Sequence, residues 1–339
     1  MKAIHFSVFG PASDAAECVD IPAPAKATGN KVTVEMLVMP INPADILTIE
    51  GEYGYKPKLP ACPGAEGIGR VIDIGEDVQR VDVGDLVIPI GGSTWQEQIQ
   101  CSEKLLIPVP GDVDIEQASM IKANPATAEA MLALVDLKPG DWVIQNAANS
   151  AVGRFVILAA KQKGYKVAAI VRRPDVVKQL QDDGADVVLV ADDATSLDDL
   201  LKELATVAGD DRPRLAFDAI GGYATNQLAA CMAQGGLIAN YGLLSGKPCE
   251  VDANHLVFRR LTLRGFWLAD WFADTSPDQV QQTYRALTSL IREGRISANI
   301  EAKYPLSEIK AALAHAAKPG RNGKVLLVPD VKYSEVEDV

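Results

Sequence analysis

The 339-residue chain is poor in the side chains that bind transition metals or form disulfide networks. It has five cysteines and three histidines. The cysteines form no Cys-x-x-Cys pair, and no histidine lies near a cysteine at zinc-ligand spacing. An odd number of scattered cysteines in a chain of this length favours reduced thiols over a disulfide framework. The sequence therefore predicts neither a metal site nor structural disulfides.

Basic residues and long apolar runs are also scarce. Lys and Arg number 33 against 45 Asp and Glu, which gives a formal net charge of −12 and argues against nucleic acid or an anionic membrane as the main partner. No apolar run approaches the roughly 20 residues that span a bilayer. The first residues, Met1–Phe6, lack the apolar core of a secretory signal. We therefore expect a soluble, cytoplasmic protein with no nucleic-acid or membrane partner.

The length of the chain favours two domains, because one hydrophobic core rarely serves so many residues. Residues 1 to about 120 are rich in predicted strands. Apolar residues alternate with other residues from Val32 to Val38, which is typical of a half-buried strand. Short apolar runs separated by Gly and Pro follow, and their spacing predicts a small barrel or sandwich.

From about residue 140, short apolar runs alternate with helical segments. Strands are predicted at Trp142–Asn146, Lys166–Val171, Val187–Val190, Leu215–Asp218, Leu237–Tyr241 and Leu261–Phe266. Because parallel strands need crossover connections, this order predicts an α/β fold with a doubly wound parallel sheet of six strands. Helices near 277–293 and 307–316 and a strand at 323–328 are expected to follow, and the residues after Asp330 are expected to form an acidic tail.

The turn after the first of these strands has the position of a dinucleotide site. The strand ends at Asn146, and the chain enters a helix by way of Gly153. A dinucleotide fold binds its pyrophosphate here, against the N–H groups of the helix N-terminus. Only Gly153 remains of the usual glycine fingerprint, so the surrounding βαβ unit is the stronger indication. A plain helix N-cap at Asn149 or Ser150 is the alternative interpretation.

Two arginines follow the second strand of this unit. Arg172 lies 19 residues beyond Gly153, with Arg173 next to it, where an NAD site usually has Asp or Glu for the ribose hydroxyls. Guanidinium groups pair well with a 2′-phosphate, so the pair favours NADPH over NADH. A solvated pair at a strand end is the alternative. We interpret Asp175 as a helix N-cap.

Five segments carry a specific resemblance, and they are Ile41–Ile46, Gly51–Tyr53, Asn124–Ala128, Asp141–Ser150, and Gly265–Leu268 together with Trp271. Through them the chain resembles the medium-chain dehydrogenase/reductase superfamily over nearly its whole length, and within it the zinc-free trans-2-enoyl thioester reductases of the mitochondrial type. The resemblance implies a Rossmann NADP(H)-binding domain at 123–266. It also implies a β-rich, GroES-like catalytic domain from 1–122 and 267–339, and a place in fatty acid metabolism.

The resemblance further implies a role for each matching position. Tyr53 matches the catalytic tyrosine, and Asn124 matches the asparagine next to the nicotinamide. The remaining cofactor positions are Asn149, Ser150, Ala151 and Val152 in the pyrophosphate turn, Arg172 and Arg173 at the 2′-phosphate, Tyr241, Gly242, Leu243, Leu244, Phe266, Trp267 and Leu268 in two loops along the cofactor and acyl pocket, and Lys324 as the C-terminal lysine.

The chain departs from the zinc-dependent members of the superfamily. Those enzymes have a Gly-His-Glu element, whereas here Ala65 precedes Glu66 in place of the histidine. The four-cysteine lobe of the zinc enzymes is also missing. Within the turn, Ala151 replaces a glycine that is usual in the family. The resemblance therefore implies an enzyme without a metal.

Reduction of a conjugated thioester needs a donor at the carbonyl oxygen. Hydride from the nicotinamide goes to the β-carbon, negative charge collects on the oxygen, and the α-carbon then takes a proton. A tyrosine hydroxyl, with an ordinary pKa of about 10, can donate to that oxygen or supply the proton. We expect Tyr53 to do so. The alternative is that Tyr53 only caps the pocket while Tyr55 or water serves.

Other side chains are candidates for contact with the substrate. Trp267 and Trp271 could form the wall of an acyl pocket, although ordinary packing is the alternative for Trp271. Four basic residues could meet a phosphate of CoA or of a carrier protein, or could be solvated surface charges: Lys56, Lys58, Arg259 and Arg260.

Three functions are therefore compared. The first is an NADPH-dependent enoyl-CoA or enoyl-carrier-protein reductase. The second is a quinone, enone or haloacrylate reductase with the same hydride donor, and the third is a redox-inactive binding protein. Family members are commonly homodimers joined edge to edge through their cofactor-domain sheets, and the candidate edge strand is Leu261–Phe266.

Overall fold

The computed structural model of the chain describes residues 1–318, 320–321 and 323–330. The acidic tail expected after Asp330 lies outside these residues. The chain divides into a first unit, Met1–Ala123 with Pro277–Val339, and a second unit, Asn124–Ser276.

The amino-terminal part of the first unit contains mainly strands. Its elements are β1 (Lys2–Phe6), α1 (Ala12–Ala15), β2 (Ala16–Asp20), β3 (Lys31–Pro40), α2 (Pro43–Glu50), β4 (Ile68–Ile74), β5 (Leu86–Pro89), β6 (Gln98–Ser102), β7 (Leu106–Val109) and α3 (Ile115–Ser119), with a 3₁₀ turn at Glu103–Leu105.

The second unit alternates helices and strands. Its elements are α4 (Asn124–Leu132), β8 (Trp142–Gln145), α5 (Ala151–Gln162), β9 (Lys166–Val171), α6 (Val177–Asp182), β10 (Val187–Val190), α7 (Leu197–Ala208), β11 (Leu215–Asp218), α8 (Tyr223–Cys231), β12 (Leu237–Asn240), α9 (Ala253–Val257), β13 (Thr262–Gly265) and α10 (Leu268–Asp274), with a 3₁₀ turn at Pro174–Val176.

The chain then completes the first unit. It adds α11 (Pro277–Arg292), β14 (Ile300–Pro305), a 3₁₀ turn at Leu306–Glu308, α12 (Ile309–Ala316) and β15 (Lys324–Val328). Residues 267–276, which the sequence analysis assigned to the catalytic domain, group with the second unit, where α10 packs against α4.

The large sheet of the first unit is built around β3. Among the described residues, the strand order is β14-β15-β3-β4-β5-β7, and β6 also pairs with β3. From Val32 to Val34 and from Met36 to Pro40, β3 is buried on both faces. The expectation of a half-buried strand was therefore wrong, because β3 lies at the centre of the sheet and the core of this unit surrounds it.

The second unit confirms the predicted parallel sheet. In the described part of the chain its order is β10-β9-β8-β11-β12-β13, and every neighbouring pair is parallel. The strand order reverses between β8 and β11. In such sheets the crevice for a ligand opens at this reversal, beyond the carboxyl ends of the strands. Strand β13 lies at one edge, as the sequence analysis expected.

The helices were also compared with the requirements for crossing a bilayer. Within residues 1–318, 320–321 and 323–330, none combines the necessary length with the necessary apolar character.

Candidate functional site

The turn between β8 and α5 leads directly into the N-terminus of α5 and packs closely against it. Ser150 is the N-cap of α5, and its hydroxyl accepts a hydrogen bond of 3.1 Å from the Gly153 N–H. Ala147 has φ of +47°, a conformation that favours glycine. A Cβ at Gly153 would lie 2.5 Å from the Ala148 carbonyl oxygen. Gly153 therefore permits the close packing of helix and turn, and Ser150 rather than Asn149 caps the helix.

The carboxylate of Asp218, at the end of β11, joins three turns at the carboxyl edge of the sheet. It accepts hydrogen bonds of 2.7 Å from the Asn146 side chain, 2.6 Å from Thr225 and 3.2 Å from Asn240. The N–H groups of the two residues at 220 and 221 donate to it as well, each at 3.0 Å. Asp218 is fully buried, and it fixes the turns that follow β8, β11 and β12.

The turn after β12 passes very close to the turn after β11. A Cβ at Gly242 would lie 2.4 Å from the Ala219 carbonyl oxygen, so only glycine fits there without displacement. The N–H of Leu244 donates to the same Ala219 oxygen at 3.1 Å. The side chains of Leu243 and Leu244 are 65% and 61% exposed. This turn therefore has a fixed backbone and presents two apolar side chains to solvent.

Four buried side-chain atoms of the second unit have no hydrogen-bond partner among the described residues, and they belong to Asn124, Gln145, Arg212 and Tyr241. Two of them lie in predicted cofactor residues, namely the hydroxyl of Tyr241 and the Nδ2 of Asn124, the first residue of α4. Burial raises the pKa of Tyr241 above its ordinary value, the Asp218 carboxylate adds to this shift, and the Ser150 side chain opposes it. Buried polar groups are normally paired, so these two atoms are suited to a ligand. Together with the start of α5 and the glycine at 242, they fit a dinucleotide.

The arginine pair directly follows β9. Arg172 is exposed, and Arg173 lies 3.6 Å from the Asp175 carboxylate in an exposed ion pair. The expectation that Asp175 caps a helix was wrong, because it lies inside the 3₁₀ turn and α6 begins only at Val177. Asp175 instead supplies a negative charge next to Arg173.

The remaining predicted positions of the second unit lie around the edge strand. Phe266 continues the pairing of β13, since its N–H donates to the Asn240 carbonyl at 2.8 Å. Trp267 precedes α10 and is 36% exposed, and Leu268 begins that helix. The Trp271 ring packs edge-on against Phe272, with ring centroids 5.2 Å apart. Asn149 is exposed, and Ala151 and Val152 form the partly buried first turn of α5.

Tyr53 belongs to the first unit and is held at the end of α2. The helix ends at Gly51, which has φ of +77°. The N–H groups of Glu52 and Tyr53 then donate to the Leu47 carbonyl at 2.9 and 3.1 Å. The Tyr53 ring is half-buried and packs edge-on against Tyr55, with centroids 6.2 Å apart.

Lys324 also belongs to the first unit, where it begins β15. It is buried, and its ammonium donates to the Asn42 side-chain oxygen. Of the predicted cofactor positions, Lys324 belongs to the first unit and the others belong to the second.

Of the four basic residues considered for phosphate contact, Arg259 has a different role. Its guanidinium donates to the carbonyl oxygens of Ala229 and Ala230, at 3.1 and 3.3 Å, and also to that of Met232. These groups end α8, so Arg259 caps that helix.

Two polar groups escaped the sequence analysis. One is the set of side chains around Asp218. The sequence did contain a signal for it, because an Asp ends the apolar run that predicts β11. The other is a cluster of charges around Glu66 in the first unit. Among the described residues, no three His, Cys, Asp or Glu side chains are grouped so that they could hold a metal ion.

Comparison with known protein families defines the class. Residues 28–111 match the alcohol dehydrogenase GroES-like domain, and residues 151–291 match the zinc-binding dehydrogenase family. Together these two matches define a medium-chain dehydrogenase/reductase, an oxidoreductase class, and they confirm the predicted fold.

Individual relatives narrow the class. The mitochondrial enoyl-[acyl-carrier-protein] reductase of Mus musculus is 40% identical over 307 residues, which cover 88% of this chain and 81% of the relative. The structure of the Candida tropicalis Etr1p/NADP/crotonyl-CoA complex has 26% identity and a TM-score of 0.84, and covers 96% of this chain and 99% of that one. A Bacillus thuringiensis structure assigned as an NADPH:quinone reductase has 30% identity and a TM-score of 0.88, with coverage of 96% and 98%. The chain belongs to the enoyl-[acyl-carrier-protein] reductase family of the medium-chain dehydrogenases/reductases.

One expectation is contradicted by these relatives. A cytoplasmic protein was expected from the sequence, whereas the mouse relative is a mitochondrial enzyme by name. The absence of a secretory signal bears only on secretion and does not separate the two compartments, so the cytoplasmic expectation was wrong.

Proposed function

We propose that this protein reduces the C=C bond of trans-2-enoyl thioesters with NADPH, and so acts in fatty acid metabolism. The observation that carries the proposal is the carboxyl edge of the parallel sheet, where the Tyr241 hydroxyl is buried near the Ser150 N-cap of α5 and has no well-formed hydrogen bond. The Asn124 Nδ2 is likewise buried and unpaired among the described residues. The names of the mouse relative and of the Candida tropicalis complex support the thioester as substrate.

The residues proposed to bind the cofactor lie mainly in the turns at the carboxyl edge of the parallel sheet. The turn Asn149–Val152 would hold the pyrophosphate with backbone N–H groups, and Tyr241 and Asn124 would supply the polar contacts that they now lack. Arg172 and Arg173 would pair with the 2′-phosphate. When bound, the reduced nicotinamide supplies a hydride for the β-carbon of the substrate.

Tyr53 is proposed as the donor to the substrate. Its hydroxyl would donate a hydrogen bond to the thioester carbonyl oxygen, where negative charge collects as the β-carbon is reduced, or would supply the proton that the α-carbon takes. The Tyr53 N–H donates a hydrogen bond to the Leu47 carbonyl of α2, so that helix fixes the backbone from which the ring extends. Trp267 and Trp271 are proposed as parts of the acyl pocket.

Reduction of quinones or enones is the second candidate. The Bacillus thuringiensis structure favours it, because that protein is assigned as a quinone reductase and shares 30% identity with this chain. The two functions use the same hydride donor and differ in the acceptor.

The test follows NADPH absorbance with crotonyl-CoA in one cuvette and a simple quinone in another, with NADH as a control. We expect rapid oxidation of NADPH with crotonyl-CoA. The Tyr53→Phe variant should lose most of its turnover while its affinity for NADPH is unchanged, and Tyr55→Phe serves as the matched control. Turnover with the quinone alone would contradict the proposal and support the second candidate. A lack of turnover with both acceptors would favour a binding role without redox chemistry.

A homodimer is part of this proposal. Strand β13 lies at the edge of the parallel sheet, and an unpaired edge can pair with a second copy. Beside it, Val257 and Phe258 are 65% and 75% exposed. Sedimentation should show a dimer, and Phe258→Asp should weaken it; a monomer at all concentrations would exclude this interface.

A further inference from the structure

The first unit contains a buried cluster of charged side chains that the proposed reaction does not use. It consists of two carboxylates, two ammonium groups and one amide: Asp45, Glu66, Lys122, Lys324 and Asn42. Glu66 is completely buried, and Asn42 and Asp45 are 4% and 3% exposed. The cluster combines two acidic and two basic side chains, whose charges attract one another when ionised. Such a group is costly to bury unless every member is paired.

Glu66 joins two parts of the chain that are distant in sequence. One of its oxygens accepts a hydrogen bond of 2.7 Å from the Asn42 side chain, and the other accepts one of 2.7 Å from the Ala123 N–H. Ala123 directly precedes Asn124, the proposed nicotinamide contact. Next to it, the Lys122 ammonium donates to the Ala65 carbonyl. The carboxylate thus connects the start of α2 with residues 122–123.

Asn42 and Asp45 fix the start of α2. The Asp45 carboxylate accepts a hydrogen bond of 2.8 Å from the Asn42 N–H and one of 2.7 Å from the Ala65 N–H. The Asn42 amide bridges the cluster, since it accepts from the Lys324 ammonium and donates to Glu66. The amino end of the helix therefore cannot shift without breaking several buried hydrogen bonds.

The other end of the same helix carries Tyr53. Helix α2 has only eight residues, and the Tyr53 N–H donates to the Leu47 carbonyl in its last turn at 3.1 Å. The Gly51 backbone also packs closely on the Phe9 ring, where a Cβ would be 3.0 Å from a ring carbon. Because the helix is short and its last turn holds the Tyr53 backbone, a movement at Asn42 would be transmitted to Tyr53.

We propose that Glu66 is a positioning residue of the reaction, and that through Asn42 it fixes α2 and therefore the hydroxyl of Tyr53. This inference rests on the proposed function, since it assigns Tyr53 the donor role. Glu66 touches neither substrate nor cofactor in this account. It acts by holding the helix from which Tyr53 extends.

The electrostatics of the cluster are consistent with an anchor that must remain intact. Burial raises the pKa of Asp45 to about 7, partly opposed by its backbone hydrogen bonds and by Lys324, and Glu66 adds to the rise. Burial also lowers the pKa of Lys122 and of Lys324, and the two carboxylates oppose that shift. Loss of any one charge would leave another unbalanced in the same buried space.

A double-mutant cycle tests this role. Glu66→Gln keeps the size of the side chain and can still accept from Asn42, but it turns an amide NH₂ toward the Ala123 N–H. We expect it to lower kcat with crotonyl-CoA by about tenfold or more, because small displacements of a catalytic group are costly, while the Kd for NADPH stays within about twofold. In a Tyr53→Phe background the same change should have no further effect on kcat.

The control is a second buried glutamate of the same unit. Glu103 accepts hydrogen bonds of 2.9 Å from the N–H groups of both Gln79 and Arg80, and it has no link to α2 among the described contacts. Glu103→Gln should lower the thermal midpoint and leave kcat unchanged. Asn42→Ser is the second variant: serine still caps a helix but is too short to bridge Lys324 and Glu66, and it should repeat the result of Glu66→Gln.

The results of these experiments distinguish failure of the Glu66 proposal from failure of the proposed reductase activity. Equal losses of kcat from Glu66→Gln with and without the Tyr53 hydroxyl, or no loss at all, would overturn the role of Glu66 while leaving the reductase activity in place. Absence of crotonyl-CoA turnover in the unmodified protein would instead contradict the proposed function itself.

Discussion

The side-chain amide of Asn146 donates a hydrogen bond of 2.7 Å to the Asp218 carboxylate, and the Asn146 oxygen accepts one of 2.8 Å from the Ala219 N–H. The end of β8 is thereby joined to the end of the neighbouring strand β11, at the position where the strand order reverses. Asp218 is the centre of this edge, because donors from three turns converge on its two oxygens.

Asp218→Ala should strongly destabilise the protein. It leaves several buried donors without an acceptor, and we expect the free energy of unfolding to fall by about 3 kcal/mol or more. Thr225→Val removes only one of these donors and should cost about 1 kcal/mol. Urea denaturation measures both. An alanine variant no less stable than the valine variant would show that the carboxylate does not organise this edge.

Two alanine-to-glycine changes in the same turn should have opposite effects. Ala147 has φ of +47°, so Ala147→Gly should relieve strain and stabilise the protein by about 1 kcal/mol. Ala151 is the first residue of α5, where glycine has a lower helix propensity, and Ala151→Gly should destabilise it by about 0.5 kcal/mol. The comparison is made by thermal unfolding of the two variants. Changes of the same sign would contradict the role of backbone conformation at residue 147.

The arginines after β9 should determine the choice of cofactor. Replacement of both Arg172 and Arg173 by alanine should raise the KM for NADPH by about tenfold or more, since charge-assisted contacts to the 2′-phosphate are lost. The KM for NADH should not change. Asp175→Asn removes the carboxylate that lies 3.6 Å from Arg173, so it should lower the KM for NADPH. Initial rates with each cofactor test both statements, and equal effects on NADPH and NADH would refute them.

Asp45 should make stability depend on pH in a defined direction. Its pKa is about 7 in the folded protein, against about 4 for an ordinary aspartate. Between these values the folded state holds a proton that the unfolded chain has lost. The contribution of Asp45 is therefore fully present below pH 4 and is lost as the pH rises toward 7.

The measurement is the unfolding free energy of the protein and of Asp45→Asn at several pH values. Titrating groups distant from Asp45 cancel in the difference between the two, which should decrease from pH 4 to pH 7. A difference that increased over this range would mean that the folded state favours the ionised form of Asp45.

The parallel sheet and the turn before α5 could be predicted from the sequence because their signals are local. An apolar run, a short turn and Gly153 lie within a dozen residues, and the change to strand-and-helix alternation predicted the parallel sheet around them. Tyr53 could be proposed only through the family resemblance, since one tyrosine in a loop has no periodicity to distinguish it.

The buried charges of the first unit could not be predicted in this way. Hydrophobic periodicity shows which face of an element is apolar, and it says nothing about which polar residues meet. Asn42 and Lys324 are separated by 282 positions, and a charged residue is normally expected at the surface. Similarly, Arg259 was considered as a surface charge because the helix end that it caps lies outside its own local sequence.

The position of β15 has a consequence for synthesis. This strand inserts between β14 and β3, so a segment that follows the second unit completes a sheet that begins before it. Domains usually fold as units while the ribosome is still at work. Asn124–Ser276 is a continuous segment, whereas the charges of Asp45 and Glu66 are balanced by the Lys324 ammonium only after that whole segment has been synthesised.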